Sequence, residues 1–185
     1  LRQLTSRAVP LTNPLDVPVT FTAALNNAEV MAPPSLTLEP KARGELPLEW
    51  RPLLPRETVS QLTLTSAELG TFLYDLKLRT LPAGETKALA FKESLGGAQT
   101  LRFRFLNFLR KPETYKLALT GGSGDFETEA QVAAPAADSS AGTEVTVDVT
   151  FEPSRMGESR DTLTATSAEG GEYTCQLVGT ALPPK

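Results

Sequence analysis

The sequence predicts an all-β protein made of two tandem copies of one β-sandwich domain. Three observations carry that prediction: a hydrophobic period of two along most of the chain, turn-forming clusters between the alternating runs, and a second half that repeats the first. No window of 11 or more residues holds a 3.6-residue apolar stripe, so nothing supports a helix.

Val19, Phe21, Ala23 and Leu25 alternate with Thr20, Thr22 and Ala24, which is the pattern of a half-buried strand. The alternation recurs at Leu46-Leu48-Trp50, Leu62-Leu64, Phe72-Tyr74-Leu76-Leu78, Leu101-Phe103-Phe105, Tyr115-Leu117-Leu119, Val145-Val147-Val149-Phe151 and Tyr173-Cys175-Leu177. Between these runs lie Ala32-Pro33-Pro34-Ser35, Gly96-Gly97, Gly121-Gly122-Ser123-Gly124 and Asp138-Ser139-Ser140-Ala141-Gly142, whose residue types favour turns. Short strands at this spacing are those of a sandwich.

Shifting the chain by 101 positions lays Trp50-Arg51-Pro52 on Phe151-Glu152-Pro153 and Thr65-Ser66-Ala67-Glu68 on Thr166-Ser167-Ala168-Glu169. Over the 33 ungapped pairs that begin at Trp50 there are 12 identities, where unrelated chains of average composition give about 2. Upstream the offset is 94, pairing Asn13 with Asn107, Pro18 with Pro112 and Ala24-Leu25 with Ala118-Leu119. The 7-residue difference is expected in the Gly- and Ala-rich stretch 121–142, where added loop length costs little. The domains are therefore expected at 1–84 and 85–185, joined by a linker at 80–84 whose Leu81-Pro82 recurs as Leu182-Pro183. Proline there restricts the hinge and predicts limited relative motion. Ahead of the second copy, Glu85 to Lys92 reads as a leading strand through Leu89 and Phe91, and the first copy has no counterpart to it. That strand either precedes Leu1 or comes from elsewhere. The absence of an initiator Met makes the chain an expected piece of something longer.

Composition narrows the chemistry. Aliphatic and aromatic residues make up 40% of the 185 residues and charged ones 22%, with a net charge of −4, as in an ordinary folded domain. No apolar run approaches the roughly 20 residues of a spanning helix, and the N-terminus lacks a signal-peptide block. With no histidine, every Ser-His, Cys-His or His-ligated metal mechanism is excluded. The single cysteine cannot form an intrachain disulfide and there is no Asn-x-Ser/Thr acceptor, so a reducing compartment is expected.

Each copy carries an aromatic-x-Pro after an alternating strand (Trp50-Arg51-Pro52, Phe151-Glu152-Pro153). A Gly-containing turn, a strand of small and hydroxyl residues and a short Leu-rich closing strand follow it, and an Asn stands five places before a Pro upstream (Asn13 and Pro18, Asn107 and Pro112). This resembles the ASH family of immunoglobulin-like domains, related to major-sperm-protein and PapD-like sandwiches. Tandem copies are similar to the repeats of cilia- and flagella-associated proteins. The resemblance spans nearly the whole chain and implies a non-catalytic scaffold module without cofactor or metal. It also implies a cytoskeletal location in the ciliary or flagellar axoneme and partners among axonemal or microtubule-associated proteins, microtubules included. It departs at the close of the first copy, Leu76-Lys77-Leu78 against Leu177-Val178-Gly179, where the last strand is expected to run on.

Candidate sites are few. Cys175 alternates in phase with Tyr173 and Leu177, which makes it a core thiol rather than a reactive one. Glu127, Glu129, Glu144 and Asp148 lack the spacing of a calcium loop or an acid/base pair and read as solvated strand and loop residues. The Gly121-Gly122-Ser123-Gly124 run precedes an acidic strand instead of a helix, so it reads as a turn and not a phosphate loop. Charge separates within the second copy. Arg102, Arg104, Arg110, Lys111 and Lys116 stand against Glu113 alone, whereas 125–172 holds 11 acids and two arginines. Two readings stay open for the basic stretch: a docking face for an acidic partner, or outward charges that guard an edge strand. Nucleic acid is not expected, because the net charge is negative and no aromatic platform interleaves with the cations. Neither a membrane nor a small-molecule substrate is expected. Leu53 and Leu54, replaced by Ser154-Arg155 in the second copy, pack either on a partner, at the domain junction or on their own domain. The alternative to a spacer is an adaptor of the major-sperm-protein type that grips short peptide motifs on the basic stretch.

Overall fold

The computed structural model describes residues 1–80 and 87–184, and all of them are strand, turn or loop. The chain divides into two compact units, Leu1–Ala83 and Gly84–Lys185. The linker expected at 80–84 lies, apart from Thr80, outside the described residues.

The first unit opens with β1 (Thr5–Thr12), β2 (Val19–Leu25), the two-residue β3 (Val30–Met31) and β4 (Ser35–Leu38). It closes with β5 (Arg43–Trp50), β6 (Glu57–Ser66) and β7 (Gly70–Arg79). One sheet has the order β1-β5-β3 and the other β4-β2-β6-β7, with every pairing antiparallel. Leu11, Leu46 and Leu48 from the first sheet meet Val19, Phe21, Leu38, Leu62 and Leu64 from the second in one core. β1 alternates only from Val9 to Leu11 and is exposed before them, and Pro10 is tolerated in it because β1 is an outer strand of its sheet among the described residues, where a missing N–H costs no second ladder. Pro47 is tolerated inside β5 for a related reason, since β3 reaches only Trp50 and Glu49 and leaves Pro47 with one neighbouring strand.

The second unit begins with β8 (Lys87–Ser94), a strand with no counterpart among the described residues of the first. Then come β9 (Gln99–Asn107), β10 (Glu113–Thr120), β11 (Phe126–Thr128), β12 (Gln131–Ala134), β13 (Thr143–Phe151), β14 (Gly157–Ser167) and β15 (Gly171–Leu182). The sheets run β11-β13-β9 and β12-β10-β14-β15-β8. β8 lies parallel to β15, Lys87 opposite Cys175 through Ser94 opposite Leu182. The closing strand is longer than the short one the sequence suggested, because β14 pairs with it from Gly171 to Ala181 and β8 carries it to Leu182. Phe91 of β8 is 2% exposed and meets the rings of Phe126 and Phe151 at 5.4 and 5.8 Å. Burial of one such ring stabilises by roughly 1.5–3 kcal/mol.

Register also locates the extra residues of the second copy. Val30 pairs with Trp50 as Phe126 pairs with Phe151, and Val19 with Leu38 as Glu113 with Ala134, so the offset there is 96. Two residues are added in the turn before β11 and five in the loop between β12 and β13, both inside the stretch expected to absorb them.

Both units share a corner at the end of their first sheet strand. Asn13 and Asn107 are each 0% exposed. The Asn13 amide donates to the carbonyls of Val17, Leu38 and Glu39 at 2.7, 3.2 and 3.0 Å, and its oxygen accepts from the Leu15 N–H at 2.9 Å. Asn107 donates to the Pro135 carbonyl at 2.8 Å and accepts from the Leu109 N–H at 3.2 Å. One buried amide thereby satisfies backbone groups where the chain crosses between sheets.

Candidate docking surfaces

Arg102 and Arg104 project outward from β9, alternating with buried Phe103 and Phe105. Register places Arg102 directly opposite Asp148 of β13, and the two form an ion pair at 3.2 Å. Arg104 reaches Glu144 of the same strand at 3.6 Å. All four side chains are more than half exposed, so each pair contributes no more than about 1 kcal/mol. In the loop that follows, Arg110 donates to the Ala137 carbonyl at 3.2 Å. Lys111 pairs with Glu169 at 2.6 Å, and hydrogen bonding to that carboxylate raises its pKa against a smaller opposing effect of desolvation. Lys116 lies on β10, in the other sheet, exposed and without an ion pair among the described residues. The five cations therefore divide between two sheets and a loop, and three of them are already paired with carboxylates.

Leu53 is 8% exposed and Leu54 half-buried. Cys175 is 0% exposed, and burial pushes its thiol up to about 11, far from a reactive thiolate. Among the described residues no three His, Cys, Asp or Glu side chains form a metal-binding group. Nor is any helix there long and apolar enough to cross a membrane.

The glycine run is a turn, with Gly121, Gly122 and Gly124 at φ of 132°, 75° and 73°. It closes over a buried carboxylate that sequence reasoning passed over. Asp125 is 2% exposed and accepts from the Ser154 N–H at 3.0 Å, the Ser154 hydroxyl at 2.6 Å and the Ser159 hydroxyl. Burial pushes its pKa up, but the Ser154 and Ser159 hydrogen bonds and the charge of Arg155 outweigh burial and hold it below the ordinary 3.8. Beside it, Asp161 accepts from the Ser123 N–H at 3.2 Å and the Ser123 hydroxyl at 2.9 Å. Every oxygen here faces a donor of the chain itself, so the cluster staples turn to strand. The signal available in the sequence was an aspartate two places after a serine, too common to single out, and its partners Ser154 and Ser159 lie 29 and 34 positions on.

The other feature concerns β7. It ends its sheet, with no strand on its outer side among the described residues, whereas β15 has β8 there. Residues of β7 that face the core at that edge, Tyr74, Leu76 and Leu78, are half-buried. Their counterparts Cys175, Leu177 and Gly179 are buried.

No protein-family model matches the chain. Over all of its length it is 38% identical to the hydrocephalus-inducing protein of Mus musculus and 36% identical to the hydrocephalus-inducing protein homolog of Homo sapiens. It spans about 4% of the length of each. Among solved structures, an ASH/PapD-like domain of human CEP192 aligns with 55% of this chain and 84% of its own at 13% identity and a TM-score of 0.42. The CupB2 chaperone of Pseudomonas aeruginosa aligns with 92% of this chain and 91% of its own at 13% identity and a TM-score of 0.36.

Proposed function

We propose that this chain, which resembles a short segment of the hydrocephalus-inducing proteins from end to end, is a non-catalytic structural module of a large ciliary or flagellar axoneme protein. In that setting, of the central-apparatus kind, it serves as spacer and protein-docking unit. The observation that carries the reading is the 36–38% identity over the full chain, which spans both copies of the repeat instead of one common sandwich. The physical character of the chain fits it. Two β-sandwiches with filled cores are stiff units, and a row of such units holds fixed points apart while presenting loops at intervals. Its partners on this reading are other axonemal or microtubule-associated proteins.

The adaptor of the major-sperm-protein type has less support. It needs a contiguous basic strand face, and Arg102, Arg104 and Lys111 each have a carboxylate partner within the chain. The same pairing weakens direct attraction to an acidic microtubule lattice.

Fluorescent tagging of the parent protein in ciliated cells, followed by detergent extraction of isolated cilia, tests the proposal. Signal retained in the extracted axoneme, and lost when residues 1–185 are deleted, is expected. Signal confined to the cell body, or unaffected by the deletion, overturns it.

A further inference from the structure

We infer that the outer face of the first unit's β1-β5-β3 sheet docks an amphipathic helix of a partner protein, laid along β5 with apolar side chains over Pro47 and a Lys or Arg near each of Glu45 and Glu49. The inference deepens the docking half of the function proposed above and rests on that half.

The repeat isolates this face. Register sets Ala8 opposite Pro47, Pro10 opposite Glu45 and Met31 opposite Glu49. The same positions of the second unit hold Arg102 opposite Asp148, Arg104 opposite Thr146 and Glu127 opposite Thr150. There the face satisfies itself: Arg102 pairs with Asp148, Arg104 with Glu144, and the hydroxyls of Thr100 and Thr150 bond at 2.9 Å. In the first unit Ala8, Pro10, Pro47 and Met31 stand in place of Arg102, Arg104, Asp148 and Glu127, and all four are exposed, Met31 by 42%. Glu45 and Glu49 flank Pro47, also exposed. The first unit's ion pairs among the described residues join Lys41 to Asp16, Arg56 to Glu29 and Arg79 to Glu57, and use neither glutamate. Arg43 stands at the end of the row, opposite Thr12. Core packing does not ask for this composition, because the core takes Leu46 and Leu48 from the other face of β5.

Size and charge select the occupant. Three strands about 4.8 Å apart make a face about 10 Å across, the width of one helix. Glu45 and Glu49 lie about 13–14 Å apart along β5. Cations two turns apart on a helix are separated by about 11 Å, and their long side chains splay over the difference. Between them apolar side chains meet Pro47, Ala8 and Met31, and a methionine adapts its shape to such a partner.

Neighbouring polypeptide fits less well. In the second unit the leading strand β8 joins the other sheet and leaves the matching face open, with its four ion-paired side chains more than half exposed. By the repeat, a leading strand of the first unit would leave this face open too. A contact between successive copies would recur from copy to copy, whereas this face is apolar in one and charged in the other. A second copy of the chain is a poor occupant, since two such faces would set glutamates against glutamates.

The test titrates the 185-residue chain with a synthetic peptide held helical by a staple on its far side, carrying Lys at i and i+7 and Leu at i+3 and i+4, and follows backbone amide shifts by NMR. Saturable shifts on β1, β3 and β5 at up to millimolar peptide are expected, with β9, β11 and β13 unmoved in the same sample. Glu45→Lys combined with Glu49→Lys should weaken binding at least about tenfold, since two attractions become repulsions. That variant should instead bind the peptide bearing Glu at i and i+7, an exchange of preference that a damaged fold does not produce. Ala8→Arg with Pro47→Asp, which installs the second unit's pair, should also abolish binding. No saturable shift on these strands, or equal shifts on β9 and β13, overturns the inference. Shifts that follow protein concentration without peptide overturn it in favour of a second copy. A longer chain with neighbouring modules that excludes the peptide assigns the face to the protein's own polypeptide, and overturns it too. Axonemal retention is read separately, so failure here leaves the spacer reading standing.

Discussion

The Tyr115 hydroxyl donates to the side-chain oxygen of Asn107 at 3.1 Å, deep in the second unit, and both residues are 0% exposed. In the first unit Phe21 occupies the place of Tyr115, and Asn13 directs its amide to three carbonyls instead. The same corner is therefore satisfied in two ways. Tyr115→Phe should cost about 1 kcal/mol, whereas Asn107→Ala and Asn13→Ala should each cost about 2–4 kcal/mol, since each strands buried backbone groups. Urea unfolding monitored by NMR signals of each unit checks the order. Equal costs for Tyr115→Phe and Asn107→Ala would contradict it.

Asp125 ties the second unit to pH. Its carboxyl titrates below the ordinary 3.8 in the folded chain, so its contribution is complete above that value and fades as pH falls from there through the folded-state pKa. The second unit should lose urea resistance as pH falls below 3.8, and Asp125→Asn should remove part of that dependence while lowering stability at neutral pH. A variant with an unchanged acid profile would show that other carboxylates govern it.

Cys175, held under β8, should react with a thiol reagent at pH 8 at least about 100-fold more slowly in the native chain than in urea. Phe91→Ala should speed the native reaction by loosening β8. Fast modification of the unaltered chain would mean that β8 detaches readily.

Gly179 has no side chain because the Phe151 ring lies against it. Gly179→Ala should destabilise the second unit by about 1–3 kcal/mol through overpacking, and Phe151→Leu should relieve part of that cost in the double variant. Additive effects in a double-mutant cycle would refute the contact as the cause.

Sequence and structure agree where information is local. Val145, Val147 and Val149 announce β13 by alternation alone, and all three are buried. β3 and β11, two and three residues long, fall below any periodicity and exist because neighbouring strands offer them a ladder. Leu89 and Phe91 marked β8 as a strand, but nothing local says that it lies parallel to β15, since that pairing joins residues nearly a domain apart. The same limit applies to the cations. Arg102 and Asp148 are 46 positions apart and become neighbours through register, so two cations of a basic stretch on paper, Arg102 and Arg104, are ion-paired across the sheet.

The parallel run of β8 beside β15 has a mechanical meaning. A pull applied at Lys87 and Leu182 enters one strand at its start and leaves the other at its end, so the bonds between them share the load in shear and must break together. In the first unit β1 and β7 belong to different sheets, and the same pull at Thr5 and Arg79 meets no ladder joining them. Stretched between two anchors, the first unit is expected to yield at lower force than the second, an order that single-molecule extension would record as two separate rips.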